Sequence, residues 1–193
     1  MRLFVAVEIA PAVAEAAAAL IERLRERAIR LAPRSRITWV TADRLHVTVR
    51  FIGNVDADRA DAVRQVLAPP LGQAPFDLTL AGVGAFPPKG PPRVLSSGVS
   101  DGREPLLATE QRVSERLARA GIAAEPRPFT PHLTLARVRE AAGLRSAALL
   151  EATGEATLGT TTVQAITLFE SRLSPKGPTY VALQRTSLAG GGH

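Results

Sequence analysis

The chain of 193 residues contains no cysteine, so disulfides, Cys-ligated zinc and iron–sulfur clusters are excluded. Aromatic residues make up only 4%, with one Trp and one Tyr, so the core must be built from Leu, Val, Ile and Ala. Lysine is confined to Lys89 and Lys176, so nearly all the positive charge is arginine. Arginine keeps its proton and binds phosphate through a two-pronged fork. Histidine occurs three times, and His193 follows three glycines at the end of the sequence. That leaves two internal imidazoles, His46 and His132, too few for a histidine-rich metal site. Long apolar runs are missing as well. The most apolar stretch, LFVAVEIAPAVAEAAAAL, is interrupted by Glu8, Pro11 and Glu15, which suits neither a membrane helix nor a signal-peptide core. A soluble cytoplasmic protein is expected, with no membrane partner.

What is present describes a folded chain. With 46% hydrophobic and 22% charged residues, it can bury a core. Its length fits one large domain or two small fused lobes. The formal charge of +6 suits an anionic partner such as nucleic acid. An Arg- and Ala-rich composition also follows from codon bias, so charge alone decides nothing.

Periodicity predicts a strand over 2–9, with Leu3, Val5, Val7 and Ile9 on one face. Pro11 opens a long Ala-rich helix to Leu31. A short strand is expected at 36–40, a turn at 41–44 and a strand at 45–52 ended by Gly53-Asn54. Asp56 or Asp58 should cap a helix running to Leu67. A strand at 76–83, a Pro/Gly-rich loop at 84–94 and a strand at 94–99 come next. A helix from 103 to 120 stops at Gly121, and a strand covers 132–138. A short helix at 143–151 precedes two last strands, 162–169 and 179–185, joined by SRLSPKGP. The chain thus passes twice through a similar plan, strands outnumber helices, and an α+β fold is expected. Residues 1–186 should form the folded domain and 187–193 a disordered tail.

The two internal histidines stand in His46-Val47-Thr48-Val49 and His132-Leu133-Thr134-Leu135. On a strand, positions i and i+2 share a face, so each motif offers an imidazole and a hydroxyl roughly 6–7 Å apart on a rigid support. A single His-x-Thr means little. Thr is about one residue in thirteen here, so its recurrence at both sites is expected by chance about once in 170. The chemistry fits as well. Opening a cyclic phosphodiester with water needs a base on the attacking oxygen and an acid on the departing one, and imidazole does both near neutrality. Threonine hydroxyls can bond the phosphate oxygens between them. Around these four, strict alternation puts Arg50 on the His46 face, where it could meet phosphate. The same rule puts Arg137 on the face opposite His132 unless a bulge intervenes. Phe4 lies on the face of the first strand away from Leu3, Val5 and Val7. There it could stack a nucleobase or form a second packed layer under a helix.

HVTVRFIG at 46–53 and RPFTPHLTLARV at 127–138 resemble the two signatures of the two-histidine phosphoesterase superfamily. The similarity is to its RNA 2′,3′-cyclic phosphodiesterase branch, historically called 2′-5′ RNA ligase. RLFVAVEI, TWV, GVGAFP and LFESRLSPKGPTY are also similar, and the resemblance runs from residue 1 to about 186. It implies a bilobed α+β fold in which two antiparallel sheets with outer helices face each other across a cleft, related by a pseudo-two-fold axis. It implies His46 as general acid and His132 as general base, with Thr48 and Thr134 holding the phosphate and a 2′-phosphate as product. The sequence itself leaves the acid and base roles exchangeable. Arg137 matches a family arginine that contacts substrate. No metal and no cofactor are implied, and a monomer is expected. The resemblance implies as partner RNA with a 2′,3′-cyclic phosphate end, such as tRNA fragments, or a small cyclic nucleotide. The rivals are a 2′-5′ RNA ligase, a nucleotide- or RNA-binding module without turnover, and, least of all, a metallo-hydrolase.

Overall fold

The structure, a computed structural model, describes residues 1–151, 153, 155–174 and 177–189. Its elements in chain order are β1 (Arg2–Glu8), α1 (Pro11–Leu31), β2 (Arg36–Trp39), a 3-10 turn at Ala42–Arg44 and β3 (His46–Asn54). Then come α2 (Ala57–Leu67), β4 (Phe76–Phe86), β5 (Val94–Asp101), α3 (Arg103–Arg119) and β6 (Leu133–Glu140). The chain closes with α4 (Ser146–Leu150), β7 (Thr157–Val163), β8 (Ala165–Ser174) and β9 (Gly177–Ser187).

The strands form one antiparallel sheet in the order β7-β4-β5-β6-β3-β1-β8-β9, with β2 added on β6. β3 and β6 meet through a single residue pair, Val47 and Leu133. On either side of that seam the strands correspond one for one: β3-β1-β8-β9 in one half and β6-β5-β4-β7 in the other. The two expected lobes are therefore the two halves of one curled sheet. Beyond the seam β3 leaves β6, and β2 takes its place, with Thr38 opposite Arg137 and Trp39 opposite Ala136.

One face of the sheet is sealed by helices. α1 starts with Pro11 at its first turn and buries Val13, Ala17, Leu20, Ile21, Leu24 and Ala28, a single stripe at helical spacing. α3 buries Leu106, Val113 and Leu117. These meet Leu3, Val5, Val7, Val47, Leu78, Leu80, Leu95, Leu133 and Leu135 from the strands. Each fully buried Leu contributes about 1.5–3 kcal/mol relative to exposure. The helices cross the seam. α1 lies between β1 and β3 in sequence yet packs on β6 and β7, while α3, between β5 and β6, packs on β3 and β4. Each half is thus roofed partly by the other's helix, which holds the seam where the backbone ladder is thinnest. Asp56 caps α2, its Oδ1 accepting from the Arg59 N–H at 2.8 Å. Among the described residues no helix is long and apolar enough to cross a membrane.

Four expectations need correction. The strand read over 162–169 is two strands. β7 pairs with β4 and β8 pairs with β1, and the chain changes partner at Gln164. An apolar run carries no sign of which neighbour it pairs with. The loop read at 84–94 shrinks to 87–93, because Ala85 and Phe86 remain paired with Leu95 and Val94. SRLSPKGP is no separate linker: the β8–β9 ladder extends to Ser174 opposite Gly177, while Pro175 and Lys176 lie outside the described residues. The packed chain also runs past 186. Ser187 ends β9, and Leu188 is fully buried, its N–H donating to the Gln164 carbonyl and its own carbonyl accepting from the Gln73 N–H. Of the expected tail, 190–193 lie outside the described residues.

Candidate active site

The face of the sheet opposite the helices is open, and both motifs lie on it at the seam. His46 is the first residue of β3 and His132 immediately precedes β6. Nδ1 of His46 bonds the Arg44 carbonyl at 2.8 Å, and Nδ1 of His132 bonds the Thr130 carbonyl at 2.8 Å. A carbonyl only accepts, so each Nδ1 carries the hydrogen and each Nε2 is left to exchange a proton. Both bonds reach two residues upstream, so the same local turn is built twice. Arg44 is itself held, with Nε on the Thr41 hydroxyl at 2.7 Å and a guanidinium N–H on the Pro178 carbonyl at 3.3 Å. Buried Pro131 stiffens the corresponding approach to His132. Because Val47 faces Leu133 in antiparallel register, the next positions outward set His46 across from Thr134 and Thr48 across from His132. Two imidazoles and two hydroxyls are thereby gathered around one point.

Two bulges decide which arginine joins them. In β6, Ser96 pairs with Thr134 while the adjacent Leu95 pairs with Ala136, so β6 carries one extra residue. Leu135 and Ala136 both turn inward, and Arg137 emerges exposed on the face of His132 and Thr134. In β3, Ala6 pairs with Thr48 while Val5 pairs with Arg50, which is the same irregularity. Here it works against the expectation from alternation. Arg50 turns inward with Val49, is 5% exposed, and donates to the Ala123 carbonyl at 2.5 Å. It is a buried structural cation away from the His46 face. Phe51 takes the place on the open face and is 45% exposed, with the Arg2 guanidinium 5.1 Å from its ring centre.

The surroundings of the two histidines differ. Phe4 is 4% exposed. Its ring lies 5.0 Å from His46, stacks on Phe169 at 5.3 Å and meets Tyr180 edge-on at 5.0 Å. Tyr180 also stands edge-on to His46 at 5.1 Å. Phe4 thus has no free ring face for a nucleobase. It forms a packed layer, not beneath a helix but behind the imidazole. Burial among these rings pushes the His46 pKa below the ordinary histidine value. The bond to the Arg44 carbonyl opposes this, and the positive charge of Arg137 lowers it further. That last influence comes from the other half of the sheet. Glu8 stands directly across β1 from His46, its carboxylate accepting from the Thr167 hydroxyl at 2.8 Å. Around exposed His132 the position equivalent to Phe4 holds the smaller Val94, and Ser96 stands where Ala6 does.

Sequence reasoning missed Phe51, Tyr180, Phe169 and Glu8. Phe51 was within reach, since it follows His46 by five residues as Arg137 follows His132. The other three are joined to His46 only by strand pairing. Among the described residues no three His, Cys, Asp or Glu side chains converge.

A model of the 2′-5′ RNA ligase superfamily matches residues 11–174. A protein of Aeropyrum pernix named RNA 2′,3′-cyclic phosphodiesterase is 34% identical over 154 residues, 79% of this chain and 87% of that one. Another of that name, from Archaeoglobus fulgidus, is 31% identical over 95% of this chain and 98% of its own. Among solved structures, Escherichia coli LigT complexed with 3′-AMP superposes with a TM-score of 0.73 at 25% identity, covering 97% of both chains.

Proposed function

This chain belongs to the 2′-5′ RNA ligase superfamily, and from that premise we propose that it hydrolyses 2′,3′-cyclic phosphate ends of RNA to 2′-phosphates by metal-independent acid–base catalysis. The observation that carries this reading is the mirrored pair of histidines, each with Nδ1 tied to a carbonyl and Nε2 free, at the Val47–Leu133 seam.

The phosphate sits between the two imidazoles. His132 Nε2 takes a proton from water as its oxygen bonds phosphorus. The bond from phosphorus to the 3′ oxygen breaks, and His46 Nε2 gives that oxygen its proton, leaving a 2′-phosphate and a 3′-hydroxyl. Thr48 and Thr134 donate to the non-bridging oxygens, and the Arg137 guanidinium balances the charge that builds there. Burial disfavours the protonated form of His46 in the free protein. The arriving phosphate supplies the negative charge that favours its protonated form, and it offsets Arg137. A cytoplasmic location suits work on RNA ends.

The superfamily's name also favours ligation, the same ring opening with a strand hydroxyl in place of water as the nucleophile. Abundant water makes hydrolysis the net direction. The test is a panel of oligonucleotides with 2′,3′-cyclic phosphate ends, scored for 2′-phosphate, 3′-phosphate and ligated product. A 2′-phosphate as main product supports the reading. Binding without turnover would replace it by a nucleotide-binding role.

A further inference from the structure

We infer that the β4–β5 hairpin is the seat of the nucleotide one step upstream of the reacting end, so that the substrate is a strand and not a free cyclic nucleotide. This rests on the reading of the site as one for RNA ends. Phe86 is 64% exposed although aromatic residues are scarce in this chain. It is opposite Val94, and Val94 is opposite Arg137. The three therefore form a row across β4, β5 and β6 on the open face, and two strand spacings put Phe86 about 10 Å from Arg137. The row beside it, from Thr134 through Ser96 to Gly84, has small residues beyond the threonine. Small side chains thus line the way from the phosphate site to an exposed ring. In the other half, the place of Phe86 is taken by Phe169, whose ring is spent on Phe4. Arg139 lies two residues beyond Arg137 on the same face, its Nε 3.4 Å from the Thr38 hydroxyl. Among the described residues neither arginine is in an ion pair with a carboxylate. An open aromatic face flanked by uncompensated arginines is how single-stranded nucleic acid is held without reading its sequence.

The test is binding of product-like ligands, a trinucleotide and a mononucleotide each ending in a 2′-phosphate, to the full chain and to Phe86→Leu, Phe86→Tyr and Arg139→Gln. The wild type should bind the trinucleotide roughly tenfold more tightly, the size of one base stack. Phe86→Leu should abolish that gain while binding the mononucleotide as the wild type does, and Phe86→Tyr should keep it. Arg139→Gln should reduce the salt slope for the trinucleotide by about 0.7. Equal affinity for the two ligands, or a gain that survives Phe86→Leu, overturns the inference. Turnover of the cyclic-ended strands is read in parallel. Turnover without the length gain defeats this inference alone. A length gain without turnover upholds it and defeats the catalytic reading.

Discussion

Phe51 and Arg137 occupy equivalent places: each is the fifth residue after its histidine, and each is turned onto the open face by a bulge one strand position earlier. The pseudo-two-fold symmetry of the backbone thus presents an aromatic ring in one half and a guanidinium in the other. The same operation sends Arg50 inward. The two arginines therefore stand on opposite faces, and this leads to the first prediction.

Arg137→Ala should lower kcat/KM on a cyclic-ended strand by about a hundredfold, as for loss of one donor to the developing charge, with Tm unchanged. Arg50→Ala should do the reverse. It removes buried packing and leaves the Ala123 carbonyl without its donor, at a cost of roughly 2–4 kcal/mol of stability. Denaturant unfolding and steady-state kinetics on both variants check this, and the idea fails if Arg50→Ala is stable and inactive.

His46 and His132 should act as a unit. Either His→Ala change alone is expected to remove nearly all activity, about 10²–10⁴-fold, and the double variant should be little worse because such partners are non-additive. A single variant that keeps a tenth of the wild-type rate would take that residue out of the mechanism.

The aromatic layer should show in the titration of His46. Its pKa lies below the ordinary histidine value because of burial, so the unfolded chain binds the extra proton first. Stability from this residue is therefore complete above pH 6.5, the ordinary value, and is lost as the pH falls toward the folded-state pKa. Phe4→Leu opens the layer and should move the His46 midpoint upward in an NMR titration. A midpoint that stays put would mean that Arg137, not burial, sets it. The kcat/KM profile should be bell-shaped, with limbs that belong to the coupled pair and not to either imidazole alone.

Activity should survive dialysis against EDTA and assay in metal-free buffer. The site as built offers two imidazoles, two hydroxyls and a guanidinium, and the last repels cations. A rate lost on chelation and restored by one divalent ion would move the chemistry to a metal mechanism.

Local patterning was sufficient for much of this. The helix from Pro11 to Leu31 was legible because its apolar stripe and its opening proline are encoded within a few turns. The duplicated His-x-Thr was legible because the two-residue period of a strand puts both groups on one face whatever the strand pairs with. Tertiary structure alone decided the rest. A bulge adds one residue and reverses the parity of everything after it, and its cause lies in the neighbouring strand, so Arg50 and Arg137 exchange faces relative to strict alternation. The change of partner at Gln164 and the packing of Leu188 depend on which strands are adjacent. The layer behind His46 joins positions 4, 46, 169 and 180, which are neighbours only after β1, β3, β8 and β9 have paired. Side-chain period is a property of the local backbone, whereas the electrostatic character of a site depends on what long-range pairing brings beside it.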